Sequence, residues 1–160
     1  MNGMLAERLA GKGRICVDTP VLIYFVEENA RYLSIIDPVF DRIDRRVLSA
    51  FSSYITLLEV LVGPLRRNRG DIARRYRDLL LNTDGFMLFP LDRRVAEEAA
   101  EIRAAHDFRT PDAIQLATAV REGADAFLTN DAKLKRFDRL EVLVLDDFVP
   151  GAGPAQGGIA

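Results

Sequence analysis

Short apolar runs alternate along this chain with longer stretches whose apolar residues recur at helical spacing, a pattern that predicts strands and helices in turn. Arg14 to Asp18 reads as a short buried strand, and Thr19-Pro20 as a helix start with proline in the first turn, leading into Val21 to Glu28. A second helix is expected over Tyr32 to Arg45, with Ile35, Ile36, Val39, Phe40 and Ile43 on one face, and a strand over Val47 to Phe51. Ser52 and Ser53 suit the cap of a helix from Tyr54 to Arg67, whose expected apolar stripe is Ile55, Leu58, Leu61, Val62 and Leu65 with Glu59 beside it. Asp71 is the expected cap of a helix carrying Ile72, Tyr76, Leu79 and Leu80. Phe86 to Phe89 is strand-like, and Asp92 opens an alanine-rich helix that runs to His106. Thr110, as cap, with Pro111 and Asp112 starts a helix ending near Gly123, followed by strands at Ala126 to Leu128 and Val142 to Leu145.

Strand candidates separated mostly by helices predict a three-layer α/β/α domain with a mainly parallel central sheet of about five strands. The expected domain covers residues 14–148, after an N-terminal extension over 1–13 and before a Gly/Ala/Pro-rich tail over 149–160 that is expected to be disordered. In such sheets ligands bind outside the carboxyl ends of the strands, so chemistry is to be sought there.

Composition narrows the chemistry. A hydrophobic fraction of 49% and a charged fraction of 29% are ordinary globular usage, and no apolar run is long enough to span a bilayer. The first residues lack the apolar core of a secretory signal, and Cys16 is the only cysteine, so no internal disulfide forms and a cytoplasmic location is expected. One His and one Cys cannot build a zinc site, which leaves oxygen ligands for any metal. A net charge of −2 argues against bulk electrostatic wrapping of nucleic acid. Nineteen of the 22 basic residues are Arg, densest at Arg66, Arg67, Arg69, Arg74, Arg75 and Arg77, a region that reads either as an RNA guide or as a solvated helix surface.

The acids carry the sharper signal. Asp18 ends the first strand, Asp112 lies in the first turn of a helix and Asp131 follows the strand ending at Thr129. Each can equally be a helix-start residue favoured by the dipole. Glu59 lies inside a helix, where capping does not apply. Brought to one sheet edge, four carboxylates repel one another and call for a cation, and an all-oxygen set suits Mg²⁺ or Mn²⁺. One or two such ions activate water and stabilise in-line displacement at phosphorus. Arg109 and Lys133, neighbours in sequence of Asp112 and Asp131, are candidate RNA phosphate contacts. His106, at a helix end, reads as a residue compensating the dipole rather than as a general acid.

Four segments in order resemble the PIN-domain ribonucleases, in particular the VapC-like toxins of type II toxin–antitoxin systems: Val17 to Tyr24, Ile55 to Leu61, Arg109 to Ala119, and Thr129-Asn130-Asp131. The similarity spans about Ile15 to Asp146. It implies that Asp18, Glu59, Asp112 and Asp131 hold the Mg²⁺ or Mn²⁺ of an endoribonuclease, with the Thr129 hydroxyl near the metal. It further implies RNA as substrate, a homodimer, and a VapB-like antitoxin whose C-terminal segment occupies the acidic cleft. Pro20 stands where many members carry Asn, which removes a polar contact but no acid, and the 13 residues before Arg14 exceed the family's usual start. Two other readings stay open: a solitary PIN-domain ribonuclease in RNA processing, and a catalytically silent binding module. A phosphatase with Asp18 as nucleophile is disfavoured, because Pro20 occupies the position of its second aspartate.

Overall fold

A computed structural model describes residues 4–151, so residues 1–3 of the extension and 152–160 of the expected tail lie outside the described residues. The elements in chain order are α1 (Met4–Arg8), β1 (Arg14–Val17), α2 (Thr19–Val26), α3 (Leu33–Asp44), β2 (Ser49–Ser53), α4 (Tyr54–Arg66), α5 (Gly70–Asn82), β3 (Phe86–Phe89), α6 (Arg93–His106), α7 (Thr110–Arg121), β4 (Ala126–Thr129) and β5 (Glu141–Val144). Two 3-10 turns, Ala132–Arg136 and Leu145–Phe148, flank β5.

The strands lie in the order β3-β2-β1-β4-β5 and every pairing is parallel. Parallel neighbours need crossover connections, which the helices supply, and the helices then cover both faces of the sheet. The register shows how. Ile15 sits between Ala50 and Ala126, and Cys16 between Phe51 and Phe127. Ile15, Val17, Ala50, Ala126 and Leu128 point into a core shared with α1 to α5, whereas Cys16, Phe51 and Phe127 pack on α6 and α7. The three-layer α/β/α architecture follows from that alternation. Burial pushes the Cys16 thiol well above its ordinary pKa, so it is a packing group.

Several boundaries differ from the sequence expectation. The short helix α1 has no counterpart there; Leu5 and Leu9 bury into the core, and Arg8 and Lys12 pair with Glu141 on the edge strand β5 at 2.7 and 2.6 Å. β2 begins at Ser49 rather than Val47, because Arg46 turns left-handed at φ 58° and the amides of Val47 and Leu48 both bond back to the Arg42 carbonyl. Asp92 and Ser53 do cap α6 and α4, but Asp71 lies in the first turn of α5 beside Arg69, and Thr110 is already helical with Arg109 at the cap position. Gly85, at φ 84°, is required before β3, since a Cβ there would stand 3.2 Å from the Ile43 carbonyl oxygen.

The largest difference is the face that α4 buries. Thr56, Val60 and Pro64 point inward, while Leu58 is 60% exposed and Val62 and Leu65 are exposed with it. Of the expected stripe, Ile55 and Leu61 pack partly against the core, whereas the fully buried positions include Thr56, whose hydroxyl is satisfied inside the protein. No helix among the described residues is long and apolar enough to cross a membrane.

Candidate active site

Asp18 leaves the end of β1 in extended conformation and caps α2: its Oδ1 accepts from the Thr19 amide at 2.9 Å and its Oδ2 from the Thr129 hydroxyl at 2.7 Å. The capping role open to this residue in the sequence is therefore filled. At 6% exposure the carboxyl is out of solvent. Burial pushes its pKa up to about 6; the bonds from Thr129 and Thr19 oppose the rise, while the charges of Asp112 and Glu59 add to it.

The other acids approach from three more elements. Asp112, in the first turn of α7, has a largely buried side chain and accepts from Arg109 Nε at 3.2 Å. Glu59, on α4, accepts from the Thr19 hydroxyl at 2.9 Å. Asp131 caps the turn after β4 by accepting from the Lys133 amide at 3.0 Å, and its own amide donates to Thr129 Oγ1 at 3.1 Å. Arg109 lies among them: its pKa is raised chiefly by Asp112, and Asp131 and Glu59 raise it further. The carboxyl edge thus gathers all four acids within electrostatic reach of one guanidinium or of Asp18.

Each carboxylate is tied to a donor of the protein rather than turned toward the others. Among the described residues, no three His, Cys, Asp or Glu side chains stand close enough to hold an ion together.

Behind the acids runs a buried polar network that hydrophobic periodicity does not reveal. Thr19 Oγ1 lies 3.0 Å from Thr56 Oγ1, which is 2.7 Å from Ser52 Oγ and accepts from Gln115 Nε2 at 2.5 Å. Gln115 Oε1 accepts from the Ser53 hydroxyl at 2.9 Å, and Ser53 in turn caps the Ile55 amide. All five side chains are buried. A signal for Gln115 exists in the sequence. It stands in the run Ala113 to Ala119, apolar around the helix, so its amide must find partners inside.

Other candidates lie outside this arrangement. The Lys133 side chain is exposed, and Lys133 reaches Asp131 only through its backbone. His106 ends α6 and stacks on Phe108 with ring centroids 5.2 Å apart. In the arginine-rich region, Arg69 pairs with Asp71 at 2.8 Å and Arg67 with Glu27 at 3.7 Å, and Arg75 donates to the Val26 carbonyl at 3.1 Å, so half of that group is engaged within the fold.

Comparison with known proteins adds a frame. Residues 15–140 match the PIN domain family. No curated protein sequence matches the chain. Solved structures similar to it include VapBC2 from Rickettsia felis bound to a promoter DNA fragment, at 15% identity and a TM-score of 0.66, covering 82% of this chain and 98% of that one. A toxin–antitoxin complex from Klebsiella pneumoniae matches at 22% identity and a TM-score of 0.62, over 82% and 97% of the two chains. DNA-bound VapBC from Salmonella typhimurium matches at 16% identity and a TM-score of 0.66, over 83% and 98%. At such identities the likeness speaks to the fold.

Proposed function

The chain belongs to the PIN domain family, and from that premise we propose that it is a divalent-cation-dependent endoribonuclease, the toxin of a VapBC-like pair. The observation that carries the reading is Asp18: a carboxylate shut away from solvent at the carboxyl edge of a parallel sheet, with Asp112 and Glu59 as like-charged neighbours. Such a group is costly unless a cation joins it.

The donor set fits Mg²⁺ or Mn²⁺, since Asp18, Glu59, Asp112 and Asp131 offer only oxygen. The chemistry a cation supplies there is charge neutralisation at phosphorus and activation of the attacking water. The chain's own residues prepare the place. Thr129 and the Thr19 amide hold both oxygens of Asp18, and Thr129 also receives the Asp131 amide, so one hydroxyl links two of the acids. Arg109 pairs with Asp112 at 3.2 Å, and its side chain, 79% exposed, would be open to RNA phosphate. The exposed Lys133 side chain, near Asp131 in the turn after β4, is proposed as a further phosphate contact.

The proposed partners are RNA, a second copy of the chain and a VapB-like antitoxin, in the cytoplasm. The solved structures of similar fold are themselves described as VapBC and toxin–antitoxin complexes, which supports the antitoxin. The test is incubation of the purified protein with structured RNAs and Mg²⁺ or Mn²⁺. Cleavage should vanish with EDTA and fall about a thousandfold in Asp112→Asn. Cutting that persists in both controls overturns the reading.

A further inference from the structure

We infer that Gln115 is a positioning residue for Glu59, acting through Thr56 and Thr19; in its bearing on cation binding, the inference rests on the function proposed above. The argument is one of proton counting along the buried chain. A hydroxyl carries one proton and two lone pairs, and an ionised carboxylate only accepts. Thr19 spends its proton on Glu59 Oε1, so in the contact between Thr19 and Thr56 it is Thr56 that donates. Thr56 then has only lone pairs left, and these take the Gln115 amide and the Ser52 hydroxyl, whose one proton goes to Thr56 at 2.7 Å in preference to Gln115 Oε1 at 3.3 Å. The order is fixed: Gln115 donates to Thr56, Thr56 to Thr19, and Thr19 to Glu59.

The far end of the chain is fixed as well. Gln115 Oε1 faces the Ser53 hydroxyl at 2.9 Å and the Ser53 amide at 3.4 Å, and an amide hydrogen can only point at an acceptor. The Ser53 hydroxyl could serve either orientation, but the Ser53 backbone N–H can only donate, so the side-chain oxygen belongs there and Nε2 at Thr56. Ser53 cannot turn away, because its Oγ accepts from the Ile55 amide at the start of α4. The direction of the chain is therefore set by the backbone of a helix terminus and carried by Gln115 across from α7. No other hydrogen bond to the Glu59 side chain is found among the described residues. An otherwise exposed glutamate on the surface of α4 owes its fixed rotamer to a hydroxyl whose own direction is set from inside the protein. Polar chains of this kind strengthen and stiffen their terminal member.

The test uses Thr56→Val, which deletes the middle hydroxyl at constant shape, Thr56→Ser, which restores it, and Gln115→Met, which removes the amide. Two readouts are taken on the full chain: Mn²⁺ affinity by calorimetry without RNA, and rotamer averaging of the Glu59 side chain by NMR on ¹³C-glutamate-labelled protein without metal. Thr56→Val and Gln115→Met should each weaken Mn²⁺ by about tenfold and set Glu59 averaging, with Thr56→Ser within about twofold of the parent. A single Glu59 rotamer and parental Mn²⁺ affinity in folded Thr56→Val and Gln115→Met would overturn the positioning role while leaving the cation site intact. Conversely, a parent chain that binds no Mn²⁺, with Glu59 still released in both variants, sinks the cation reading and upholds the positioning.

Discussion

The two ends of β1 carry opposite charges that are handled in opposite ways. At the amino end, Arg14 has a buried Nε with no hydrogen-bond partner among the described residues, and its guanidinium lies over the rings of Phe51 and Phe89 at 4.8 and 5.6 Å. At the carboxyl end, Asp18 is also buried but held by two directional bonds and surrounded by further acids. The cation is accommodated by polarisable ring faces, which ask little of its orientation. The anion is fixed in place and left short of positive charge. One end is organised for stability, and the other accepts an electrostatic deficit in return for a defined geometry.

The widest separation of the two ends should come from Asp18→Asn. Cleavage should fall about a thousandfold, yet urea unfolding at pH 7.5 without divalent cation should show a fold about 1 to 2 kcal/mol more stable, because a buried charge has gone. A destabilised variant would mean that the carboxyl edge carries no deficit.

Next in size is the pH response of the cation-free parent. Asp18 titrates near 6 in the fold, against an ordinary value of 3.8, so between these values the folded chain binds the extra proton. Stability at this group is therefore gained as pH falls from 7 toward 4, by about 3 kcal/mol at most, and is lost again as pH rises through 6. Chemical denaturation across that range checks the sign; the gain should be absent in Asp18→Asn. Saturating Mn²⁺ should relieve the same deficit at pH 7.5, adding about 2.7 kcal/mol at a hundredfold excess over its dissociation constant and nothing to Asp18→Asn.

Arg14→Met probes the other end. Stability should move by less than about 1 kcal/mol, and Mn²⁺ affinity and cleavage should be unchanged. The smallest effect belongs to Glu141→Gln, which releases α1 from β5. The loss should stay under about 1 kcal/mol in low salt and shrink further in high salt, as for other partly exposed ion pairs.

How much of this was legible in the sequence depends on what each residue reports. The strand and helix order was readable, because β-strands buried on both faces are written as apolar runs and the helices between them as periodic ones. The acids at strand ends were readable as positions, since a parallel sheet sends its carboxyl ends to one edge. What the pattern hid was the inward face of α4. Thr56 counts as polar in any periodicity, yet it is fully buried because Gln115, Ser52 and Thr19 satisfy it, and Leu58, which looks like core, faces outward. A buried hydroxyl and a surface hydroxyl are the same letter. The N-terminal helix escaped for another reason: with two core contacts, Leu5 and Leu9, it is too short to show a period.

The placement of β1 at the centre of the sheet has a consequence for how the molecule is made. Its two neighbours come from distant parts of the chain, Ile15 pairing with Ala50 on one side and with Ala126 on the other. Contacts so far apart in sequence form late and slowly, since the loops they close must be ordered first. Asp18 therefore acquires Thr129 and the proximity of Asp131 only after β4 has been synthesised and has docked. A nascent chain released before that point carries three of the four acids, lacks Asp131, and has an open edge on β1. The complete cleft exists only once β4 has paired with β1.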